Sequence, residues 1–361
     1  MKRKNFIKNC LALGISLPFG KAIYGDLIMP SSNIMDAPTL EGIKGIDAHS
    51  HPYNINSDPY LFGKLKHSGS TSTVERMKEA GLVASVFAAV GDRFGSDDSA
   101  KSLFEDTIEQ LNRIHHFENK KMVRLIKNKF DLNFSGNNDE SFGAIMAIEG
   151  GDAIEDDLEN INKFYDYGVR LITLLHKHDN KIGYNQESKS DGPISSFGIK
   201  VIERMSELGI IIDVAHSAPK TLKSISEVCH LPLLDSHTAP FPDGEENNFP
   251  NRARSWEEME LIAKSGGLIC TMPIGYTLGH YSRMTFTSWA IEIALMKKRL
   301  GIEHVGLGTD SGGLPMVVNG WKSISSLPIL LMELKNVGLS TDDITAFTGG
   351  NFLRIANNYL D

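Results

Sequence analysis

The sequence predicts an α/β protein folded as a (β/α)8 TIM barrel. Eight short apolar runs alternate with stretches of helical spacing from about residue 45 to the end. Most of these runs end in a histidine or an acidic residue, and barrel enzymes gather the carboxyl ends of their strands around one site. An open doubly wound sheet is the competing interpretation, but no Gly-x-Gly-x-x-Gly turn follows an early strand.

The bulk composition fits one barrel. The chain has 361 residues, of which 41% are hydrophobic and 23% are charged. That length is ample, because such a domain needs about 250 residues. The net charge of -8 argues against an extended phosphate-binding face, so we expect no nucleic-acid partner.

Residues 1–25 are interpreted as an export signal, which leaves residues 26–361 for a single barrel domain. Residues 1–8 are basic, and residues 10–19 form an apolar run too short for a membrane span of roughly 20 residues. Residues 3–8 are similar to a twin-arginine export motif, with Lys4 in place of the second arginine. A frayed N-terminal helix is the alternative. We therefore expect an exported protein, periplasmic or otherwise extracytoplasmic, without a transmembrane span.

The first four predicted strands are residues 45–51, 82–90, 144–149 and 169–176. Each is a short apolar run of strand length, and the third and fourth stop at a glutamate and a histidine. Residues 100–118 have helical spacing, as expected for the segment that connects two parallel strands.

The last four predicted strands are residues 210–216, 233–237, 267–272 and 305–310. Residues 199–208 and 256–265 precede two of them and show helical spacing. Two further segments, 130–140 and 241–254, are rich in turn residues and are predicted as inserted loops; the second could cover a site at the end of a strand. Cys229 and Cys270 lie in apolar surroundings, which favours buried free thiols over a disulfide.

Two strand ends carry the first candidate metal ligands. His49 and His51 are two apart on a strand, so their side chains point the same way and can hold one metal ion. Glu149 precedes Gly150 and Gly151, and its two carboxylate oxygens can bridge two cations. The structural alternatives are two core or surface histidines and a solvent-facing glutamate.

His216 and His237 end the fifth and sixth predicted strands. Either residue alone could be a hydrogen-bonded core histidine. At equivalent positions of adjacent strands they form a ligand pair for a second ion. The barrel is therefore expected to be of the metal-dependent hydrolase type.

Several segments, in one order, resemble the membrane dipeptidase family (renal dipeptidase, peptidase family M19) of the amidohydrolase superfamily. The resemblance runs from about Gly42 to the end and is carried by residues 46–49, 147–151, 168–176, 208–216, 236–237 and 305–310, with 197–198 and 351–355 as further landmarks. It implies two zinc ions per chain, with His49 on the first, Glu149 as the bridge, and His216 and His237 on the second. His51 stands where the family has a further ligand of the first ion. It also implies that a metal-bound hydroxide attacks the peptide carbonyl.

The same resemblance implies roles for residues outside the ligand set. His176 would stabilise the oxyanion, and Asp310 would orient the water, shuttle its proton and meet the substrate ammonium. Arg252 would bind the substrate carboxylate, with Arg254 as the alternative, and Tyr276 would contribute to the substrate site. From the residues alone, His176 could be a core histidine, Asp310 a turn former, and either arginine a solvated loop cation.

One residue departs from the family pattern: the family usually has His-x-Asp at the first strand, where this chain has His51. The neutral imidazole removes one negative charge, so the first ion should be held less tightly and act as a stronger Lewis acid. The function predicted is an exported binuclear zinc hydrolase that cleaves dipeptides or related small amides, with a homodimer compatible with the sequence. An ester, lactone or phosphoester hydrolase and a non-catalytic peptide- or metal-binding barrel are the alternatives.

Overall fold

Eight parallel strands form the barrel in this computed structural model, which describes residues 44–51, 73–92, 102–134, 141–241, 252–278, 281–314 and 316–361. The strands within these ranges are β1 (Gly45–Ser50), β2 (Leu82–Val90), β3 (Val123–Leu125), β4 (Phe142–Glu149), β5 (Val169–Thr173), β6 (Ile211–Asp213), β7 (Leu234–Pro240), β8 (Ala253–Arg254), β9 (Leu268–Thr271), β10 (Tyr276–Leu278), β11 (Tyr281–Arg283) and β12 (Val305–Leu307). The barrel order is β1-β2-β4-β5-β6-β7-β9-β12, with β3 paired to β4 and β8 to β7. All eight predicted strands are confirmed.

The barrel is nearly closed between β12 and β1. Ser50 and Ser311 form a parallel bridge. The His51 N–H donates to the Ser311 carbonyl and the Asp310 N–H to the His49 carbonyl, both at 2.9 Å. These bonds bring the first and last strand ends of the chain together on the carboxyl face.

Helices follow or precede the strands around the outside of the barrel. Within the described residues they are α1 (Val74–Glu79), α2 (Leu103–Asn119), α3 (Glu159–Tyr167), α4 (Ser196–Leu208), α5 (Pro219–Val228), α6 (Trp256–Lys264), α7 (Phe286–Leu300), α8 (Leu327–Asn336), α9 (Thr341–Thr345) and α10 (Asn351–Tyr359). The predicted helices at 100–118, 199–208 and 256–265 correspond to α2, α4 and α6. Ser102 and Ser255 begin α2 and α6 with capping boxes, which satisfy backbone N–H groups of the first turn.

The core lies inside the barrel and between the barrel and its helices. Every residue of β4 is buried, as expected for a parallel strand covered on both sides. Helix α2 buries Leu111, Ile114 and Phe117 on one face, and each such side chain contributes about 1.5–3 kcal/mol to folding. This packing makes the strands a rigid support for side chains at their ends.

Some predictions concern residues that the structure does not describe, and the two predicted loops need correction. The export signal at 1–25 and the domain start at residue 26 lie outside the described residues, as do 135–140 of the first predicted loop and 242–251 of the second. The predicted loop at 130–140 begins inside a 3₁₀ helix, Lys129–Leu132, which Asn128 caps, and 253–254 form β8.

Cys229 and Cys270 are buried and free, as predicted. In the part of the chain described, no helix is both long enough and apolar enough to cross a membrane.

Candidate metal centre

Five predicted ligands converge at the carboxyl end of the barrel, with Glu149 in the middle. Its Oε1 lies 3.1 Å from His216 Nε2, 3.2 Å from His237 Nε2 and 3.6 Å from His49 Nε2. Its Oε2 lies 3.4 Å from His51 Nε2. All five side chains are buried. One carboxylate therefore touches every predicted imidazole ligand.

The imidazoles form two close pairs. His49 Nε2 and His51 Nε2 are 3.3 Å apart, and His216 Nε2 and His237 Nε2 are 3.2 Å apart. Two nitrogens that each lie about 2.0–2.1 Å from a tetrahedral zinc ion are about 3.3 Å apart. Each pair therefore has the spacing of two ligands on one ion, and the residues present fit a metal centre.

Two of the site residues have unusual backbone geometry. His216 and Asp310 have φ values of 64° and 46°. This left-handed conformation costs a residue other than glycine about 1–3 kcal/mol. Such a backbone cannot continue a strand, which explains why β6 and β12 end three residues before these side chains. The turn after each strand directs the side chain to the centre.

Burial keeps the second pair neutral. Burial, followed by the charges of His49 and Arg252, lowers the pKa of His237 to about 3. Burial and the Arg252 charge also hold the pKa of His216 well below its usual value. Only a deprotonated imidazole can bind a metal, so both residues are ready to act as ligands near neutral pH.

The first pair has a different electrostatic setting. Burial by itself lowers the pKa of His51, but hydrogen bonds to Asp310 and Glu149 outweigh it and raise that pKa to about 10. Burial by itself raises the pKa values of both carboxyls, but their histidine neighbours outweigh it and hold both low. Asp310 and Glu149 thus favour a positive charge at this position, and a metal ion held by His51 would have to take the place of its proton.

His176 lies at the edge of the centre and has a partner that the sequence analysis missed. Its Nε2 is 3.6 Å from Glu149 Oε2, and its Nδ1 is 2.8 Å from Asp92 Oδ1. Asp92 Oδ2 accepts a hydrogen bond of 3.0 Å from the Lys177 N–H. Asp92 thus fixes the ring with Nε2 toward Glu149. It stands two residues after β2, so the strand-end rule used for the ligands could have found it.

Arg252 is placed beside the second pair. Its Nη2 donates to the His237 carbonyl at 3.1 Å. Its Nη1 is buried and has no hydrogen-bond partner among the described residues. Because its charge lowers the pKa values of both His216 and His237, it acts on the centre electrostatically. This guanidinium has a donor available for an anionic ligand.

Arg254 occupies a different environment. It is fully buried, and its Nε donates to Asp235 Oδ2 at 2.8 Å. Its Nη1 donates to Glu258 Oε1 at 2.9 Å, and its Nη2 to the Val214 carbonyl at 2.6 Å. Each guanidinium nitrogen thus has a partner inside the protein. The geometry favours a structural role over the substrate contact predicted as the alternative to Arg252.

Tyr276 also belongs to an internal network. Its hydroxyl donates to Glu292 Oε2 at 3.1 Å, and the other oxygen of Glu292 pairs with Arg283 Nη2 at 2.9 Å. Tyr276 is only 3% exposed. The geometry therefore does not support a substrate contact through this hydroxyl.

A family model described as membrane dipeptidase (peptidase family M19) matches residues 39–359. Dipeptidase aclJ of Aspergillus oryzae is 25% identical over 261 residues, which cover 70% of this chain and 61% of that protein. Human Dipeptidase 3 is 24% identical over 297 residues, which cover 80% of this chain and 58% of that protein. The chain thus spans about three fifths of each relative's length.

Two solved structures share the fold. The probable dipeptidase PvdM from Pseudomonas aeruginosa has a TM-score of 0.74 at 20% identity, covering 88% of this chain and 96% of that one. A metallo peptidase from Rhodobacter sphaeroides, liganded with a phosphinate mimic of the dipeptide L-Ala-D-Ala, has a TM-score of 0.74 at 17% identity, covering 88% and 99%. Because the family model spans nearly the whole described barrel, the chain belongs to the membrane dipeptidase family, peptidase family M19.

Proposed function

We propose that this protein is an exported dipeptidase that uses two zinc ions. The observation that carries the proposal is the pair of Nε2–Nε2 distances, 3.3 and 3.2 Å, on either side of one glutamate. Two sets of ligands that share Glu149 suit two ions better than one, because a carboxylate can bridge them through its two oxygens. Zinc is supported by the donor set, since neutral imidazoles and carboxylates are ligands that it favours.

The residues around the centre divide the hydrolytic work. When bound, the two ions supply a water of lowered pKa and polarise the scissile carbonyl. Asp310 lies 3.4 Å from His51 and stays ionised, so it can take the proton of the attacking water and later pass it to the leaving amine. With a proton on both ring nitrogens, His176 donates from Nδ1 to Asp92 and can donate from Nε2 to the oxygen on which negative charge develops.

The charges at the two ends of the centre support a dipeptide as substrate. Arg252 has a free Nη1 donor for a terminal carboxylate, and Asp310 offers an anionic oxygen for a terminal ammonium. A dipeptide carries both groups, one on each side of its single peptide bond. The relatives named as dipeptidases support the same substrate class.

A substrate panel tests this function. The zinc-loaded chain should hydrolyse L,L or L,D dipeptides faster than simple esters, lactones or phosphoesters of similar size. Glu149→Gln should remove activity and lower the bound metal, because the amide keeps one ligand oxygen where the carboxylate offers two, and it is uncharged. Brisk ester or phosphoester hydrolysis without dipeptide turnover would overturn the proposal.

Export is proposed from the basic residues 1–8 and the apolar run at 10–19. N-terminal sequencing of the protein secreted by its host should show removal of the signal near residue 25. An intact N-terminus on protein in the cytoplasmic fraction would contradict export. The homodimer stays a prediction, which size determination in solution can test.

A further inference from the structure

Two imidazoles of the metal centre meet at one buried hydroxyl on the side away from Glu149. Ser236 Oγ lies 3.2 Å from His49 Nδ1 and 2.7 Å from His237 Nδ1. It also donates to Asp213 Oδ2 at 2.6 Å. All four residues are at most 1% exposed. One histidine comes from each of the two close pairs, so this hydroxyl touches both halves of the centre.

The direction of these hydrogen bonds follows from the number of donors and acceptors that the Ser236 hydroxyl has. A serine hydroxyl has one hydrogen and two acceptor lone pairs. The hydrogen of Ser236 is used toward Asp213, whose other oxygen accepts the N–H groups of Ala215 and Ser236, both at 3.0 Å. The two lone pairs are then left for His49 and His237. Both rings must donate from Nδ1, which leaves the lone pair of each Nε2 directed at the centre.

The same atoms could be mistaken for a third ion site. Nitrogen and oxygen atoms of His49, Asp213 and His237 lie within 4.8 Å of one another. The Ser236 oxygen, however, stands among them at hydrogen-bond distance from all three. With Nδ1–H groups on both rings, this cluster is a hydrogen-bond junction.

We propose that Ser236, held by Asp213, is a positioning residue shared by both ion sites. It sets the tautomer and orientation of one ligand in each site, so its loss weakens the binding of both ions together. The inference rests on the proposed two-ion centre. Loss of an outer hydrogen-bond partner of a metal ligand typically costs about 10–100-fold in metal affinity.

Ser50 provides a matched control. It is fully buried at the end of β1, between His49 and His51. Its hydroxyl is 2.9 Å from Ser85 Oγ and 2.9 Å from the Val86 carbonyl. It therefore supports the strand and not an imidazole. Ser50→Ala removes the same atoms as Ser236→Ala at the same depth.

The test is a zinc titration of the full-length chain, stripped of metal, against a chromophoric chelator. In Ser236→Ala we expect both dissociation constants to rise by about 10–100-fold, while Ser50→Ala binds like the wild type. Weakening at one site only, or at neither, would overturn the inference. Circular dichroism melts of both variants show whether each is folded.

A second measurement needs no variant. Long-range ¹H–¹⁵N spectra of the metal-free chain at pH 8, labelled with ¹⁵N-histidine, should show His49 and His237 as Nδ1–H tautomers. An Nε2–H tautomer at either residue would refute the inference even if Ser236→Ala fails to fold. Neither measurement involves a substrate, so an inactive chain with these tautomers and paired affinities would count against the dipeptidase proposal alone.

Discussion

Arg252 and Arg254 stand two residues apart, and the structure assigns them opposite roles. Arg252→Ala removes the available Nη1 donor beside His237. A hydrogen bond to a charged group contributes about 1.5–3 kcal/mol, which corresponds to about 10–150-fold in kcat/KM. We expect that loss for a dipeptide with a free carboxylate and a much smaller loss for its C-terminal amide, with KM carrying most of the change. Steady-state kinetics on the two zinc-loaded enzymes measure both numbers.

Arg254→Ala serves as the comparison, and we expect it to act on stability. The change leaves Asp235 buried without its cationic partner, and breaking such a buried pair costs about 3–5 kcal/mol. That is a large share of the roughly 5–15 kcal/mol that holds a domain folded. Urea unfolding should show the loss directly. The reasoning is refuted if Arg252→Ala lowers kcat/KM equally for the free-carboxylate dipeptide and its C-terminal amide. It is also refuted if Arg254→Ala keeps wild-type stability and loses activity only on the free-carboxylate dipeptide.

Three further predictions concern the centre. Asp92→Asn leaves one acceptor oxygen for two donors, His176 Nδ1–H and the Lys177 N–H. The looser His176 ring should lower kcat about 10–100-fold at similar KM, and an unchanged kcat would remove Asp92 from the mechanism. In metal-free protein, stability should peak near pH 6.5: the contribution of His51 is lost as pH rises toward 10, and that of His237 as pH falls toward 3, by at most about 1.4 kcal/mol per pH unit each. Urea midpoints measured across pH should fall on both sides of this maximum. His51→Gln should flatten the fall at high pH and His237→Gln the fall at low pH; a fall that survives its substitution contradicts the assignment. His51→Asp should keep the fold and two metals by elemental analysis, whereas loss of one metal would show that His51 has another role.

The strands were predictable because parallel strands covered on both faces are nearly continuous apolar runs. The ends of these strands were less predictable. The predicted strands at 210–216 and 305–310 extend three residues past β6 and β12. His216 and Asp310 adopt positive φ. Histidine and aspartate enter this region more often than most residues other than glycine, but still so rarely that residue type alone does not predict it. Tertiary contacts at the centre hold these turns, so the apolar pattern alone could not place them.

The ligands were predictable as strand-end residues, but the pairing of each ligand with its supporting residue was not. Asp92 is 84 positions from His176, and Ser236 is 187 positions from His49. The order of the strands in the barrel brings such residues together. Arg252 and Arg254 show the same limit, because burial and pairing distinguish them although their local sequence does not.

A zinc titration of metal-free protein, followed by dipeptide hydrolysis at each step, tests the central claim most directly. The two ligand pairs around Glu149 predict that activity rises with added zinc and reaches its plateau at about two equivalents per chain. A plateau at one equivalent would contradict the two-ion centre. Zinc binding at two equivalents without dipeptide turnover would contradict the dipeptidase activity.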